Sequence, residues 1–203
     1  MAAASDEQQM LRLKAGDTEA FTGLVEKYRG PLVHFLYRMV HNAAAAEELA
    51  QEVFLRVYRA RARYKPSAKF STWLFKIATN LALNSLRDAR LRNRIETPAS
   101  ANPPLHSAEA GGKRETSEAA DPRPTVEQEL MEAERLAAIQ QAVEELPEKQ
   151  RLAVLLHKYE ELDYGAIADI LGCSESALKS LLFRAYESLR LRLKPFVGRH
   201  ARK

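Results

Sequence analysis

One stretch decides how the second half of this chain folds: Tyr164 to Phe183, YGAIADILGCSESALKSLLF. Apolar residues recur at spacings of three and four on both sides of Gly172, which indicates two short helices joined by a tight turn. Glycine suits such a turn because it accepts a positive φ, and Ser174 is placed to cap the second helix. The small Ala168 lets the two helices cross closely. The pattern predicts a helix-turn-helix.

An apolar seam should join the two helices and leave a polar face outside. We expect the seam to contain Ile167, Leu171, Cys173, Leu178 and Leu181. In this motif the second helix enters the major groove of DNA by its N-terminal half. Six residues would then point outward, and two arginines would meet phosphates: Ser174, Glu175, Ser176, Lys179, Ser180 and Phe183, with Arg184 and Arg190. An ordinary helical hairpin is the alternative interpretation.

Composition divides the chain ahead of this motif. Residues 97–125 contain five prolines and two glycines, and their only large apolar side chain is Leu105. Such a segment cannot bury enough surface to offset the entropy lost on ordering, so we predict a flexible linker. It separates one domain at residues 8–96 from a second at 126–197. A coil of this length would span about 30 Å typically and about 95 Å when extended.

Both domains are predicted to be helical, and no alternating pattern indicates a strand. In the first domain we expect a helix that ends near Gly30-Pro31, a second from Leu32, a third at 45–63 and a fourth at 71–92, capped by Ser71 or Thr72. Residues 126–146 and 148–159 should form two helices before the helix-turn-helix. The predicted fold is all-α, with two small helical domains joined by a flexible linker.

Charge is strongly segregated along the chain. From Arg56 to Arg94 eleven Lys or Arg residues stand against one acid, and from Lys179 to the end eight stand against one. Between these basic segments, residues 109–148 hold eleven acids and four bases. Two separate basic segments indicate two contacts with a polyanion, because each neutralised phosphate releases counterions. Solvated helix faces that cluster by chance are the alternative.

Composition also excludes several classes of protein. The chain has 203 residues and one cysteine, which permits no internal disulfide and no cysteine zinc cluster. Its start resembles no signal peptide, and no stretch has the roughly 18 apolar residues of a membrane span. No Gly-rich phosphate loop or metalloprotease helix is present, and the five histidines are scattered. We therefore expect a cytoplasmic protein that is not an enzyme, without cofactor, metal, small-molecule substrate or membrane insertion.

Four further blocks carry a resemblance when they are taken in order: AEELAQEVFLRV at 46–57, FSTWLFKIATN at 70–80, LPEKQR at 146–151, and the motif from Tyr164 to Leu193. Together they resemble a bacterial RNA polymerase sigma factor of the extracytoplasmic function (ECF) group in the sigma-70 family. The likeness is to the minimal type, with only the second and fourth sigma domains. It implies a protein that binds core RNA polymerase and promoter DNA and directs transcription initiation.

The resemblance implies roles for three sets of residues. The polymerase's clamp helices would bind Glu47, Glu48, Leu49, Gln51, Glu52 and Leu55. The unstacked minus-ten strand would bind Tyr64, Lys65, Ser67, Lys69, Phe70, Asn80, Asn84, Arg87 and Arg90. Rings and cations suit this task because rings stack on bases while Lys and Arg hold the backbone. The minus-thirty-five element would bind the outward residues of the helix-turn-helix, from Ser174 to Arg184.

Several points stay open at this level. Phe183 and Tyr186 stand where the family often has His and Arg, and they could contact DNA, another protein or the core. Trp73 is interpreted as a core residue, and Cys173 as core rather than a redox sensor. An anti-sigma factor is implied by the family alone. A dimeric operator-binding regulator that acts without occupying polymerase is the alternative function, although it would leave the acidic helix and the basic loop of the first domain unused.

Overall fold

The computed structural model describes residues 5–96, 126–160 and 162–197. Within these ranges the chain forms no strand. It forms a 3-10 turn, Arg61–Arg63, and eight helices: α1 (Asp6–Lys14), α2 (Thr18–Val40), α3 (Ala43–Ala60), α4 (Phe70–Glu96), α5 (Val126–Glu144), α6 (Glu148–Lys158), α7 (Tyr164–Leu171) and α8 (Glu175–Val197). None of these helices has the length and apolar character needed to cross a membrane. The predicted linker, residues 97–125, lies outside the described residues.

The first domain begins with α1, a helix that the sequence analysis did not place. Ser5 caps it by accepting the Gln8 amide, and the Gln8 side chain bonds back to the Ser5 amide, which forms a capping box. Met10 and Leu13 are buried in the core. Met10 and Leu13 are three residues apart, which is a helical spacing, but two apolar residues among many polar ones are too weak a pattern to predict a helix.

The prediction that a helix ends near Gly30-Pro31 was wrong, because α2 continues through both residues. Pro31 cannot donate to the carbonyl of Lys27, and a proline normally crowds the Cβ of the preceding residue. Gly30 has no Cβ, and residues 29–31 are exposed, so water can reach the free carbonyl. Burial of Leu24 and Leu32 on either side outweighs the lost hydrogen bond.

The helices on either side of the basic loop also differ from the prediction at their ends. The third helix ends at Ala60, and the 3-10 turn fills the remainder of the span expected for it. The next helix begins at Phe70, so neither Ser71 nor Thr72 caps it, and Thr72 is buried instead. Lys69 provides the carbonyl that accepts the first intrahelical bond, from the Trp73 amide.

The helix-turn-helix is confirmed in its main features. Gly172 ends α7 with φ +62°, in the left-handed region that favours glycine, and Ser174 Oγ accepts the Ala177 amide at 3.2 Å. The seam contains Ile167 and Leu178, both fully buried. The expectation for Cys173 was wrong: its side chain is exposed, because the turn that its amide closes on Ala168 directs it outward.

The two domains pack against each other, chiefly through α4 and α7. Their buried side chains form one continuous hydrophobic cluster. At its edges, the Arg38 guanidinium lies 3.9 Å from the ring centroid of Tyr159, and His41 Nδ1 lies 3.2 Å from a carboxylate oxygen of Glu144. This packing brings α7, the first helix of the helix-turn-helix, beside the basic loop of the first domain.

Candidate nucleic-acid and protein interfaces

The basic loop between the 3-10 turn and α4, Tyr64–Phe70, is called the capture loop below. Its middle is exposed, and a tight turn in which the Ser67 amide donates to the Lys65 carbonyl at 2.8 Å shapes it. Lys65, Ser67 and Lys69 all project from this exposed part. The loop therefore offers two cations and a hydroxyl on one short segment.

The two aromatic residues at the ends of the capture loop are buried, which corrects the prediction that their rings stack on bases. Phe70 is 0% exposed and packs 5.3 Å from the Tyr28 ring. Tyr64 is 6% exposed and packs 5.3 Å from Trp73. Apolar burial outweighs base stacking here because both rings close the core under the loop. They support the loop rather than face a ligand.

A cavity of about 450 Å³ opens beside the capture loop. The end of α3, the 3-10 turn, the loop and α4 supply most of its walls, and Asp169 of α7 completes them. The lining residues from the first domain are Ala60, Arg63, Tyr64, Lys65, Ser67, Ala68, Thr72, Trp73 and Lys76. Trp73, which was interpreted as core, is partly buried and presents part of its surface to this cavity. Arginine, lysine and an indole around a small cavity suit an unstacked base with its phosphates.

A polar stripe leads away from the cavity along α4. Lys76, Asn80, Asn84 and Arg87 follow one another at spacings of four, four and three, so they share one helix face. The last three are exposed, and Arg87 Nη1 lies 3.5 Å from Asn84 Oδ1. Lys76 was missed by the sequence analysis, although its position four residues before Asn80 places it on the same face.

Both ends of the capture loop are hydrogen-bonded to α1. The Phe70 amide donates to Glu7 Oε1 at 2.9 Å, and Lys14 Nζ donates to the Tyr64 carbonyl at 3.0 Å. The Phe70 hydrogen bond is the main reason why the pKa of Glu7 is lowered below its usual value. Sequence reasoning missed both residues because α1 itself was not predicted.

A groove of about 600 Å³ lies between α2 and α3. Aromatic side chains dominate its apolar part, where the Phe21 ring lies 5.4 Å from Tyr58 and 6.3 Å from Phe54. Three residues of the predicted polymerase-binding set line it: Glu47, Gln51 and Leu55. Leu55 is 48% exposed and adjoins the aromatic part of the groove, so the two form one continuous apolar surface. The groove suits an amphipathic helix.

The other three residues of that set lie in different surroundings. Glu48 is exposed, and Leu49 is half-buried and packs against the core. Glu52 accepts a 2.7 Å hydrogen bond from Arg56, one turn later, and this bond lowers its pKa. Phe21, Val25 and Arg29 of α2 also line the groove but were not predicted, because their spacing is that of an ordinary core-facing helix.

The start of α8 presents all its predicted DNA-reading residues to solvent: Ser174, Glu175, Ser176, Lys179, Ser180, Phe183 and Arg184. Phe183 is 69% exposed, so the core interpretation is wrong for this residue. Tyr186 differs, because its hydroxyl lies 2.9 Å from His157 Nδ1 and ties α8 to α6. One face of α8 is therefore free for a ligand while the next turn packs into the domain.

Three cations of the candidate minus-ten surface are paired with acids of the second domain. Lys69 Nζ lies 3.1 Å from Asp163, and Lys76 Nζ lies 3.0 Å from Asp169. Arg90 is 3.1 Å from Glu148 at the start of α6. Asp169 also lines the cavity beside the capture loop. The second domain thus pairs carboxylates with three cations of the candidate minus-ten surface.

Comparison with known protein families agrees with this geometry. Residues 24–92 match the family described as sigma-70 region 2, and residues 136–189 match sigma-70, region 4. The RNA polymerase sigma-H factor of Pseudomonas aeruginosa is 33% identical over 192 residues, which is 95% of each chain. The ECF RNA polymerase sigma-E factor of Escherichia coli K12 is 31% identical over 96% of this chain and 97% of its own.

Two solved structures share the fold at low identity. CnrH in complex with the cytosolic domain of CnrY has a TM-score of 0.66 at 18% identity and covers 95% of this chain and 99% of its own. The sigma factor RpoE of Bartonella quintana, in complex with the anti-sigma factor NepR, has a TM-score of 0.63 at 20% identity, over 86% and 96% of the two chains.

Proposed function

Because the chain belongs to the ECF group of the sigma-70 family, a group of non-enzymatic initiation factors, we propose how its surfaces divide the work of starting transcription. The groove between α2 and α3 binds core RNA polymerase. The capture loop and the polar stripe of α4 hold the opened minus-ten strand. The exposed start of α8 reads the minus-thirty-five element as duplex.

Docking on polymerase is assigned to the groove because polar side chains edge its apolar floor, among them Glu47, which pairs with Arg29 of α2 at 3.4 Å. Phe54 and Leu55 offer apolar area, while Glu47 and Glu48 supply negative charge on the same helix. A partner helix with apolar and basic residues would cover Phe54 and Leu55 and would pair its basic residues with the two glutamates. Leu55 is the residue we expect to contribute most, because a half-exposed leucine gains most from being covered.

Strand capture is assigned to the cavity beside the capture loop, and this cavity is the observation that carries the proposal. Lys65 and Arg63 supply charge, Trp73 supplies an aromatic wall, and the α4 stripe continues the path along the backbone. An unstacked base can enter a cavity of this kind only after the strands separate. Holding such a base therefore stabilises the opened promoter without any nucleotide hydrolysis.

Duplex reading is assigned to α8 from its exposure and charge. Ser176, Lys179 and Ser180 can hydrogen-bond to base edges, and Arg184 can hold a phosphate. Phe183 offers an apolar contact, which suits a thymine methyl group. Two weak DNA contacts on one chain reinforce each other once polymerase fixes their spacing.

The decisive experiment is transcription by purified bacterial core polymerase on a fragmented genomic library, with and without this protein, followed by sequencing of the start sites. We expect new starts that share a two-part upstream motif. If none appears and the protein does not co-elute with core polymerase, the proposal fails. The operator-binding regulator, which the family assignment does not favour, would then have to be tested on palindromic duplexes.

Substitution in the groove tests the docking surface separately. Leu55→Asp should weaken co-elution with core polymerase by about tenfold or more, because a charge replaces buried apolar area. Leu11→Asp is the matched control, since Leu11 is 42% exposed on α1 of the same domain but lies outside the groove. Equal loss in both variants would refute the assignment of the groove.

An anti-sigma factor is the further partner we propose, since the RpoE structure that shares this fold contains the anti-sigma factor NepR. We also propose the cytoplasm as the compartment, because core polymerase acts there. Co-purification of this chain from its own cells, with and without the inducing stress, would identify such a partner. A chain that is found only with polymerase under both conditions would refute it.

A further inference from the structure

We propose that α1 positions the capture loop, with Glu7 and Lys14 as the positioning residues. The inference rests on the proposed function of that loop. It gives α1 a part in promoter opening without requiring that either side chain touch DNA. The matched region 2 begins at Leu24, after α1 ends, so this role belongs to a part of the chain outside the family match.

The helix is firmly anchored to the domain. Met10 is 0% exposed and Leu13 is 1% exposed, so one face of α1 is part of the core. Asp6 adds two polar ties to α2, with Lys27 Nζ at 2.6 Å and the Tyr28 hydroxyl, which donates at 2.5 Å. Because apolar and polar contacts both hold α1 in place, residues on α1 can fix the position of the capture loop.

Glu7 fixes the far end of the capture loop. Phe70 is the first residue of α4, and amides at a helix start have no partner within the helix. The Glu7 carboxylate accepts this amide at 2.9 Å, and its charge also suits the positive end of the helix dipole. The point at which the loop becomes α4 is therefore set from α1.

Lys14 fixes the near end of the same loop. Its ammonium donates to the Tyr64 carbonyl at 3.0 Å, directly after the 3-10 turn. A charged donor makes this a stronger bond than one between neutral groups. Tyr64 is in turn packed against Trp73, so this bond also steadies one wall of the cavity.

The two attachments act together because of their spacing. Glu7 and Lys14 are seven residues apart, so they lie on one face of α1 and about 10 Å apart along its axis. The loop between their partners could stretch to about 20 Å if it were extended. Tying both ends to one rigid helix keeps the loop in a compact shape before the strand arrives, and this preorganisation raises its affinity.

The test uses holoenzyme assembled from core polymerase and full-length variants. The probe is the single-stranded minus-ten sequence found by start-site mapping, with 2-aminopurine at the captured position, so that binding and unstacking are read together. Glu7→Ala and Lys14→Met should each weaken capture by about tenfold. Lys14→Arg, which can still donate to the Tyr64 carbonyl, should restore it. Arg12→Met is the matched control, because Arg12 lies on α1 but pairs with Asp17, the N-cap of α2, rather than with the capture loop.

Base preference separates positioning from general structural support. A misplaced loop should lose discrimination between the natural base and its substitutes at the captured position, while co-elution with polymerase stays near wild type. Glu7→Ala also removes the cap of α4, so a modest fall in its urea midpoint is expected from that loss alone. If the Glu7 and Lys14 variants keep wild-type affinity and base preference, the positioning role is refuted. If wild-type holoenzyme itself captures no strand, or if Lys65→Ala has no effect, the proposed function of the loop fails instead.

Discussion

At the scale of single residues, Gly172 sets the geometry of the helix-turn-helix. Its φ of +62° costs other residues roughly 1 kcal/mol or more, because a Cβ would approach the neighbouring carbonyl. Gly172→Ala should therefore lower the free energy of unfolding by about 1 kcal/mol. Urea unfolding of the full chain, followed by circular dichroism, measures this loss.

Gly165 provides the control in the same motif. It lies in the first turn of α7 without a positive φ, and an added Cβ would meet only ordinary contacts, the nearest being Glu175 Oε1 at 3.4 Å. Gly165→Ala should leave stability unchanged or raise it slightly. Equal destabilisation by the two substitutions would mean that the left-handed conformation is not what Gly172 contributes.

Residue identity predicted exposure well where one face was plainly polar, and poorly at the ends of the capture loop. The α8 residues were placed correctly because helical spacing alone separates them from Leu178. Tyr64 and Phe70 were misjudged because an aromatic ring serves equally well against a base or in a core. Only the packing of Tyr28 and Trp73 on these rings decides between the two, and sequence spacing does not reveal it.

At the scale of elements, α2 shows that a proline can be outweighed by packing. Pro31 leaves the Lys27 carbonyl without its helical partner, yet the helix continues. Pro31→Ala restores the missing amide and should raise the free energy of unfolding by roughly 1–3 kcal/mol. Pro147→Ala is the control, because Pro147 precedes the first residue of α6 and its amide would have no helical partner. Unchanged stability in Pro31→Ala would mean that the missing hydrogen bond costs this helix nothing.

Helical periodicity predicted which elements exist more reliably than where they end. Ends depend on local details, such as the 3-10 turn after Ala60 and the cap that Glu7 supplies to α4 from another helix. Helix ends of this kind are set by groups far apart in the sequence, so the local pattern of apolar residues does not predict them. The missed α1 residues belong to the same class.

At the scale of the whole molecule, acids of the second domain pair with Lys69 and Lys76 of the first, so we expect them to compete with DNA for these cations. Asp163→Asn with Asp169→Asn removes the acids that pair with Lys69 and Lys76, while Asn at position 163 still caps α7. The pairs are exposed and worth about 0.2–1 kcal/mol each, so strand binding by the free chain should improve about three- to tenfold. Fluorescence anisotropy with the minus-ten strand measures this change.

Glu132→Gln with Glu134→Gln is the control for net charge. It removes two acids from α5 of the same domain without touching the capture loop or its lysines. If both double variants improve binding equally, general electrostatics rather than competition at the cavity is responsible. Spacing along the sequence does not predict these pairs, because Asp163, the N-cap of α7, bonds to Lys69, which lies 94 residues away in sequence.

The contact between the domains also contains a carboxyl group with an unusual titration. Glu160 lies between α6 and α7 and lines a cavity of about 540 Å³ with residues of α2 and α4. Burial raises its pKa to about 7, although the charge of Arg38 opposes the shift. Lys69 and Asp163 also line this cavity, and they pair with each other.

The raised pKa of Glu160 should make the folded chain less stable as pH increases. Between about pH 4.5 and 7 the folded state keeps a proton that the unfolded state has lost, so stability falls across this range and is then constant. The change should be on the order of 1–3 kcal/mol. Glu160→Gln should abolish it in urea titrations, whereas Glu26→Gln, on the exposed face of α2, should retain it. Glu7 has a lowered pKa, so its contribution to stability is instead lost as the pH falls below its usual pKa. A wild-type profile in Glu160→Gln would mean that this carboxyl is solvated and that the domains close without burying it.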